Sequence, residues 1–270
     1  MSDLSPVARG ESQARGRLEG RRILIVGAGQ ADAGLDDPPL GNGRAMSILF
    51  AREGASVAAA DLNEAAARAT AELAGEGTVP IVADAADEDE VRRMIAEARE
   101  ALGGLDGLVL NVGIGAGFGV QGTDAADWDR VIAVNLRSHF LGCKHGLPAL
   151  DPGGAVLLIG SIAASQFTPI PAYGASKAAL QSLTRSAAVE AAASNGVRVN
   201  LLEPGLIDTP LGRHATNMFP ARGKVRIPLG RQGTAWEVAH TALFLISDEA
   251  SYVTGQSFVV DGGLSTAPRA

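Results

Sequence analysis

The stretch ILIVGAGQADAGLDDPPLGNGRAMSILF, residues 23–50, joins an apolar run to a helical pattern through a loop that contains several glycines. Its first five residues predict a buried β-strand, and its last eight belong to a predicted helix over 43–53. Gly27, Gly41 and Gly43 allow the backbone to turn tightly and to approach a pyrophosphate at the helix N-terminus. Taken alone, the loop is equally compatible with a plain glycine-rich turn.

The same alternation of apolar runs and helical stretches continues along the chain. The predicted strands are 23–27, 56–60, 79–83, 105–111, 154–160, 197–202 and 257–261, and the predicted helices are 43–53, 63–74, 87–102, 124–149, 172–194 and 235–247. Strands that alternate with helices form βαβ units, and continuous apolar runs are typical of parallel strands covered on both faces. The sequence therefore predicts one α/β domain over residues 21–270, a single-domain Rossmann fold with a doubly wound, seven-stranded parallel sheet.

Composition and charge exclude several classes of protein. The 270 residues are 46% hydrophobic and 20% charged, with a net charge of −7. No basic stripe stands out, which argues against nucleic acid or an anionic membrane as a partner. No apolar run reaches the ~18 residues of a membrane helix. Residues 1–20 lack a hydrophobic signal core and are expected to form a flexible, solvated tail. Cys143, the only cysteine, rules out an internal disulfide, and we expect a cytoplasmic protein.

The end of the second predicted strand indicates the cofactor. Asp61 ends this strand, where a carboxylate can accept both ribose hydroxyls of an adenosine and would repel the 2′-phosphate of NADP. Leu62 and Asn63 follow, so no arginine is present there to receive that phosphate. We therefore predict NAD as the cofactor. The alternative role for Asp61 is to cap the helix over 63–74, since Asp is a favoured N-cap residue.

The ends of strands three and four reach the same predicted edge of the sheet. Ligands of doubly wound sheets bind beyond the carboxyl ends of the strands, near the point where strand order reverses. Asp84, with Ala85 next to it, is expected near the adenine. Asn111 and Gly113 end strand four, where we expect a close backbone approach to the ribose.

A tyrosine and a lysine four residues apart provide the first candidate for acid–base chemistry. Tyr173 and Lys177 in PAYGASKAAL share one face of the predicted helix 172–194. To act as a base near neutrality, a tyrosine must lower its pKa from about 10 to about 7, which costs about 4 kcal/mol. An ammonium ~4 Å away supplies about that amount at an effective dielectric of 20. Alone, this spacing is commonplace on helices and more often structural.

Two further polar residues strengthen the candidate. Ser161 follows strand five, twelve residues before Tyr173, as a hydroxyl that could hold a substrate oxygen. Asn135 is an amide within the otherwise apolar pattern of helix 124–149, and a buried amide without partners is costly. Individually, Ser161 could serve a loop backbone and Asn135 could bend its helix. Together with Tyr173 and Lys177 they are hard to explain by chance.

In these motifs the sequence resembles the short-chain dehydrogenase/reductase family, over nearly its whole length from Arg21 to Gly263. The matching pieces are the loop Gly41-Asn42-Gly43, Asn111-Val112-Gly113, Asn135, Ser161, Tyr173-x-x-x-Lys177, Pro204-Gly205 and TGQSFVVDGG at 254–263. In combination these motifs are highly specific.

The resemblance implies a role for each of these residues. Tyr173 would exchange a proton with the substrate oxygen, and Lys177 would lower its pKa and hold the nicotinamide ribose. Ser161 would bind the carbonyl or hydroxyl, and Asn135 would anchor a water relay to Lys177. In the segment after strand six, Pro204, Gly205, Ile207 and Thr209 would contact the cofactor, the last two at the nicotinamide carboxamide. The family also implies a homotetramer, with helices 124–149 and 172–194 packing between subunits.

Three departures from the family pattern concern the loops. The first glycine loop has thirteen residues between Gly27 and Gly41, an insertion of about ten, and Asp32 stands where a third glycine is usual. This acidic insertion could cover the pyrophosphate as a lid, although a bulge into solvent is favoured because loops tolerate length cheaply. Val26 replaces the usual Thr, and Val112-Gly113-Ile114 replaces the usual Asn-Ala-Gly. The Ser-to-Tyr spacing is one residue short.

The segment over about 206–234 is expected to form a mobile substrate lid. Candidate lining residues are His214, Met218 and Phe219, with Gln166 and Phe167 on the opposite wall. Met and Phe favour an alicyclic or aromatic alcohol as substrate, although packing of the lid against the core would explain them equally well. The four histidines form no metal-ligand motif, so we predict no catalytic metal.

These inferences converge on an NAD-dependent oxidoreductase that interconverts a secondary alcohol and its ketone. The alternative enzyme is a 3-oxoacyl-carrier-protein reductase, which Asp61 disfavours because biosynthetic reductases usually use NADPH. An epimerase is disfavoured because no second substrate domain is present. From another class, the chain could be a cofactor-sensing protein that retained the fold and lost the reaction, which the intact Asn135, Ser161, Tyr173 and Lys177 disfavour.

Overall fold

The computed structural model describes residues 4–30, 34 and 37–266 and places seven parallel strands in one sheet. These are β1 Arg22–Val26, β2 Ser56–Asp61, β3 Thr78–Val82, β4 Gly107–Leu110, β5 Ala155–Ile159, β6 Arg198–Pro204 and, at the far edge, β9 Ser257–Val260. Two short strands, β7 Ile207–Asp208 and β8 Gly233–Thr234, pair separately. The sheet order β3-β2-β1-β4-β5-β6-β9 reverses direction between β1 and β4. This confirms the predicted doubly wound Rossmann fold and places the ligand crevice beyond those two strands.

Nine α-helices, among the described residues, connect and cover the strands. They are α1 Pro6–Arg9, α2 Asn42–Arg52, α3 Glu64–Ala74, α4 Glu88–Leu102, α5 Ala125–Ile132, α6 Ser138–Gly146, α7 Pro171–Ser194, α8 Pro210–Met218 and α9 Ala235–Ile246. Their first turns carry the expected caps: the Asp87 side chain accepts two amides of α4, and Thr234 and Glu237 form a capping box on α9. Within the described chain, no helix is both long and apolar enough to cross a bilayer.

Apolar side chains on the two faces of the sheet form two cores. One core packs the sheet against α4, α6 and α7 and includes Leu108 and Leu158. The other packs the sheet against α2 and α9 and includes Ile25, Phe50 and Leu243. Both cores lie below the carboxyl edge of the strands, so they fix the strand ends from which the candidate site is built.

The predicted helix over 124–149 is divided into segments of different hydrogen-bond pattern. A π-helix, Ala133–Arg137, separates α5 from α6, and a 3-10 turn, Leu147–Ala149, ends the run. π-turns within α-helices are frequent at functional sites because they re-aim a side chain. Here the π-turn contains the buried Asn135.

The N-terminal segment packs on the domain, which corrects the expectation of a solvated tail over residues 1–20. Leu18 is fully buried in the core beside α2 and α9. The buried Glu53 carboxylate accepts the Arg15 and Arg17 amides, at 3.0 and 3.1 Å. These contacts join residues far apart in sequence, and the segment has no local apolar periodicity that would have predicted them. Residues 1–3 lie outside the described part of the chain.

The insertion in the first glycine loop is described only in part. Residues 31–33 and 35–36, which include Asp32, lie outside the described residues. At its C-terminal end, Leu40 packs against the second core. The Asp37 carbonyl accepts a hydrogen bond from Arg213 Nη1 at 3.3 Å. Arg213 lies on α8, so this end of the insertion contacts the segment predicted to form the substrate lid.

The docking of the N-terminal segment generates a stability prediction. Leu18→Ala removes a fully buried side chain and is expected to lower the free energy of unfolding by about 2–5 kcal/mol. Leu73→Ala on α3 is the matched control, since Leu73 is 57% exposed and surface substitutions usually change stability by less than about 0.5 kcal/mol. Urea denaturation of the three proteins would measure the difference. Equal stabilities would show that the buried Leu18 side chain does not stabilise the domain.

Candidate functional site

The structure brings the four predicted catalytic residues together at the carboxyl edge of the sheet. Ser161 follows β5, Asn135 lies in the π-turn, and Tyr173 and Lys177 lie in the first two turns of α7. Pro171 begins α7, a position at which proline's missing amide hydrogen is not needed. Hydrogen bonds link the loop after β4, the π-turn and α7.

Asn135 connects the loop after β4 to α7. Its side chain is completely buried, and its Oδ1 accepts the Ile114 amide at 2.8 Å. Its Nδ2 donates to the Ile114 carbonyl at 2.9 Å and to Ser176 Oγ at 3.2 Å. Every polar atom of the buried amide therefore has a partner, which is the condition under which such a group stabilises a fold. The water relay from Asn135 to Lys177 stays a prediction.

Lys177 places an ammonium group inside the protein. The residue is 3% exposed, and its Nζ donates to the Ile159 carbonyl at 2.9 Å. A Cβ added at Gly113 would lie 3.3 Å from Nζ, so the glycine leaves room for the ammonium beside the loop after β4. Burial lowers the pKa of Lys177 to about 8. At pH 7 the ammonium form therefore still predominates about tenfold.

The half-buried Tyr173 phenol contacts Ser161 and lies within electrostatic range of Arg222. Burial raises the pKa of Tyr173, whereas the hydrogen bond to the Ser161 side chain and the charge of Arg222 oppose that rise. The predicted lowering of the Tyr173 pKa by Lys177 stays a prediction. The Lys177 Nζ lies 5.8 Å from the Tyr173 ring centroid and is directed at the Ile159 carbonyl, whereas the Arg222 charge opposes the rise in the Tyr173 pKa.

The glycine loop has the backbone geometry that a pyrophosphate site requires. A Cβ at Gly43 would lie 2.0 Å from the Gly27 carbonyl oxygen, so no other residue allows α2 to approach β1 this closely. Gly27 has a φ of +80°, and its carbonyl accepts the Asn111 side-chain amide at 2.8 Å. Gly41, the N-cap of α2, provides no side-chain cap for the first amides of the helix. These amides lie at the positive end of the helix dipole.

An orphaned polar atom supports the fit of a nucleotide cofactor to this loop. Asn42 Oδ1 is buried and has no hydrogen-bond partner among the described residues. A buried acceptor without a donor costs about 1–3 kcal/mol, and a hydroxyl of a bound ribose is a donor of the required kind. Gly41, Asn42 and Gly43 together therefore fit the phosphate and ribose region of a dinucleotide.

Asp61 lies beside the glycine loop and does not cap the following helix. Its Oδ2 accepts the Gly29 amide at 2.9 Å and its Oδ1 accepts the Asn63 amide at 3.0 Å. The N-cap of α3 is Asn63, whose side chain accepts the Ala66 amide. The helix-capping role that was the alternative for Asp61 is therefore performed by Asn63. Leu62 is 69% exposed, with its side chain open to a ligand.

The remaining predicted cofactor residues lie at the ends of β3 and β6. Asp84 is exposed and accepts the Ala86 amide, and Ala85 is buried in the first core. Pro204 ends β6, and Gly205 donates its amide to Val260. The Ile207 side chain is buried in the second core, and its backbone pairs with Gly233 of β8. The Thr209 hydroxyl caps α8 by accepting the Gly212 amide at 3.0 Å.

Of the predicted substrate-lining residues, Phe219 packs against another aromatic ring, whereas Phe167 and Met218 are largely exposed to solvent. Phe219 stacks on Phe118 with ring centroids 5.1 Å apart, and this pair connects the end of α8 to the loop after β4. Phe167 is 88% exposed and Met218 is 62% exposed. His214 and Gln166 are exposed and half-buried respectively. Phe118 and Arg222 were missed, because isolated residues in irregular loops carry no periodic signal in the sequence.

Metal-ligand residues are not grouped in the described part of the chain. There, no three His, Cys, Asp or Glu side chains lie together in a way that could hold a metal ion. Cys143 is buried in the first core, and burial raises the pKa of its thiol to about 12, so the thiol is not a candidate nucleophile.

Comparison with known proteins gives matches over most of the chain. A family model described as enoyl-(acyl carrier protein) reductase matches residues 40–265. The chain is 37% identical to 2-(S)-hydroxypropyl-CoM dehydrogenase 3 of Xanthobacter autotrophicus, over 92% of this chain and 98% of the relative. It is 35% identical to the 3-oxoacyl-acyl-carrier-protein reductase FabG of Thermotoga maritima, over 92% and 99% respectively. A short-chain type dehydrogenase/reductase structure from Mycobacterium marinum superposes with a TM-score of 0.83 at 30% identity, over 93% and 97%.

The burial of Lys177 generates a prediction about pH dependence. Its folded-state pKa of about 8 lies below the ordinary value of about 10.4, so between these values the unfolded chain binds more protons. The free energy of unfolding therefore rises with pH. At pH 7 the folded protein bears the cost of burying the ammonium, and this cost disappears as Lys177 loses its proton. From pH 7 to 9.5, the wild type is expected to gain about 2 kcal/mol relative to Lys177→Met.

Denaturation of the cofactor-free protein at the two pH values would measure this gain. Lys224→Met is the control, because Lys224 is exposed and its substitution should leave the pH dependence of the wild type unchanged. Parallel pH profiles for the wild type and Lys177→Met would contradict the assignment of a lowered pKa to Lys177.

Proposed function

The chain belongs to the short-chain dehydrogenase/reductase family, and on this premise we propose that it interconverts a secondary alcohol and its ketone with NAD(H). The observation that carries the proposal is the Tyr173 phenol, which lies beside the Ser161 side chain on a helix whose next turn holds the buried Lys177 ammonium. A nicotinamide cofactor, when bound, accepts or supplies the hydride. The protein has to orient the alcohol and move one proton at its oxygen.

Each residue of the constellation has a separate part in that proton transfer. Tyr173 takes the hydroxyl proton during oxidation and returns it during reduction. Ser161 holds the substrate oxygen next to the phenol through the hydroxyl that already contacts Tyr173. Lys177 keeps a positive charge under the site and is positioned to hold the nicotinamide ribose. Asn135 positions the loop after β4 and α7, and through them the other three residues.

We propose NAD as the cofactor because Asp61 lies at the tip of β2 with its carboxylate beside the glycine loop. A carboxylate at this position accepts hydrogen bonds from the ribose hydroxyls of NAD and repels the 2′-phosphate of NADP. Arg44, which lies within electrostatic range of Asp61, is a cation that opposes this choice of cofactor. Its guanidinium is engaged by the Thr70 hydroxyl and the Ala66 carbonyl, which directs it along α3.

We propose an alicyclic or aromatic alcohol as substrate, on the basis of the Phe118–Phe219 pair, which connects the loop after β4 to the end of α8. Reduction of a 3-oxoacyl thioester is the second candidate, and the likeness to the Thermotoga maritima reductase favours it. The two differ in cofactor and in substrate, since Asp61 favours NAD whereas biosynthetic reductases usually use NADPH. Turnover of an acyl thioester with NADPH would favour the second candidate.

We also propose that the protein is a cytoplasmic homotetramer. Apolar side chains are exposed on the helices that the family uses between subunits: Trp128 on α5 is 39% exposed, Phe140 on α6 47% and Val189 on α7 74%. Burying such side chains against a second copy removes apolar surface from water.

The role of Tyr173 can be tested by removing only its hydroxyl. Tyr173→Phe is expected to reduce turnover of a secondary alcohol by about 10²–10⁴-fold, because the proton then has no acceptor. The affinity for NAD⁺ should change little. Tyr252→Phe is a matched control, since Tyr252 is the other tyrosine of the chain and is fully exposed. Steady-state kinetics and calorimetry provide the two readouts, and an active Tyr173→Phe protein would disprove the mechanism.

The role of Asp61 can be tested by titrating the protein with NAD⁺ and NADP⁺ in a calorimeter. The wild type is expected to bind NAD⁺ at least about tenfold more tightly, because juxtaposed like charges cost several kcal/mol. Asp61→Asn should narrow the ratio of the two affinities, whereas Asp129→Asn, at an exposed site on α5, should not. Failure of the wild type to bind either cofactor would overturn the proposed function.

A further inference from the structure

The segment that follows β7 carries a concentrated positive charge. Residues 210–232 contain five Lys and Arg residues and no Asp or Glu, in a chain whose net charge is −7. Such an excess next to a reaction centre raises the local concentration of anions. Two of the five cations are paired: Arg213 with Asp208 and Arg231 with Glu237. The other three, Arg222, Lys224 and Arg226, have no carboxylate partner among the residues that the structure describes.

Arg222 differs from the other two because it is half-buried and lies within electrostatic range of Tyr173. Its Nη1 donates to the Gly212 carbonyl and to Thr216 Oγ1, both at 2.8 Å, so α8 holds the guanidinium in one orientation. A guanidinium has five N–H donors and no acceptor. Its Nε and Nη2 make no hydrogen bond to the described residues, and its charge acts on Tyr173. Burial lowers the pKa of Arg222, which nevertheless remains charged at neutral pH.

A cavity of about 190 Å³ lies beside this guanidinium. Arg222 and the unpaired Arg226 line it, together with Leu206, which directly follows Pro204-Gly205. The cavity is therefore bordered by the segment expected at the nicotinamide and by two cations without counterions among the described residues. A buried charge that lacks a partner is unfavourable, and a bound anion would supply the partner.

We propose that the substrate carries an anionic substituent, such as a carboxylate or sulfonate, and that Arg222, assisted by Arg226, binds it. This inference rests on the proposed function, because it places the reacting carbon at Tyr173 and the anion at Arg222, whose charge acts on that phenol. Arg222 donates through its free Nε and Nη2 groups, in the forked geometry that suits two oxygens of one anion. It acts as a specificity-determining residue, and a neutral alcohol of the same skeleton leaves its charge unpaired.

The experiment compares matched acids and amides as ligands of the protein saturated with NADH, which keeps the pyrophosphate site filled. Acetate, benzoate and cyclohexanecarboxylate are titrated calorimetrically beside acetamide, benzamide and cyclohexanecarboxamide. At least one acid is expected to bind about tenfold or more tightly than its amide, the factor that one charge-assisted hydrogen bond supplies. Arg222→Gln should abolish that preference, and Arg222→Lys should restore it in part. Lys224→Gln, with the same change of charge two residues away on the exposed surface, should retain it.

Each outcome decides the proposal separately from the proposed reaction. If no acid binds better than its amide, or if Lys224→Gln loses the preference as fully as Arg222→Gln, the anion site is disproved. A weaker affinity of Arg222→Gln for NADH itself would assign the arginine to the cofactor and would also overturn it. Turnover of hydroxy acids and neutral alcohols is measured alongside: absent turnover with intact acid binding would reject the proposed reaction and leave the anion site standing.

Discussion

Burying an ammonium group is costly unless protein groups replace its hydration, and the candidate site is arranged around one such group, that of Lys177. The Ile159 carbonyl at the end of β5 accepts a hydrogen bond from it, and Gly113 leaves the space beside it. These contacts fix the first turns of α7 against the ends of β4 and β5. Tyr173, one turn earlier, is thereby placed against Ser161. The side chain of Asn135 also hydrogen-bonds to Ile114, in the loop after β4, and to Ser176 on α7, and so it holds that loop against α7.

Much of this arrangement could be predicted because it follows from short-range sequence patterns. Continuous apolar runs specify parallel strands covered on both faces, and the carboxyl ends of such strands lie along one edge. Tyr173 and Lys177 share a helix face because they are four residues apart. Glycine at position 43 predicts a close approach of α2 to β1. A Cβ at that position would lie only 2.0 Å from the Gly27 carbonyl oxygen, which gives the approach its physical reason.

Other features depend on contacts between distant residues, which leave no periodic pattern in a single sequence. Glu53 holds the amides of Arg15 and Arg17 across more than thirty residues, and a segment without apolar periodicity therefore docks on the core. The π-turn at Asn135 is set by the Ile114 backbone, which lies in another element. Arg222 lies in an irregular segment. The only sequence signal there is the excess of Lys and Arg over Asp and Glu in residues 210–232, which does not single out Arg222.

In the proposed anion site, the charge of Arg222 would couple the recognition of substrate to the proton transfer. Burial raises the pKa of Tyr173, and the Arg222 charge is one of the two influences that oppose the rise. An anion bound to Arg222 would cancel much of that influence at the phenol, and the proposed mechanism would then rely on the remaining cation, Lys177. Coulomb interactions strengthen as water is excluded, and a substrate that fills the cavity excludes it. A lysine pKa of about 8 keeps this cation charged at neutral pH. The depth at which Lys177 is buried is therefore compatible with an acidic substrate, whereas deeper burial that lowered its pKa below 7 would leave Tyr173 without a charge to stabilise it.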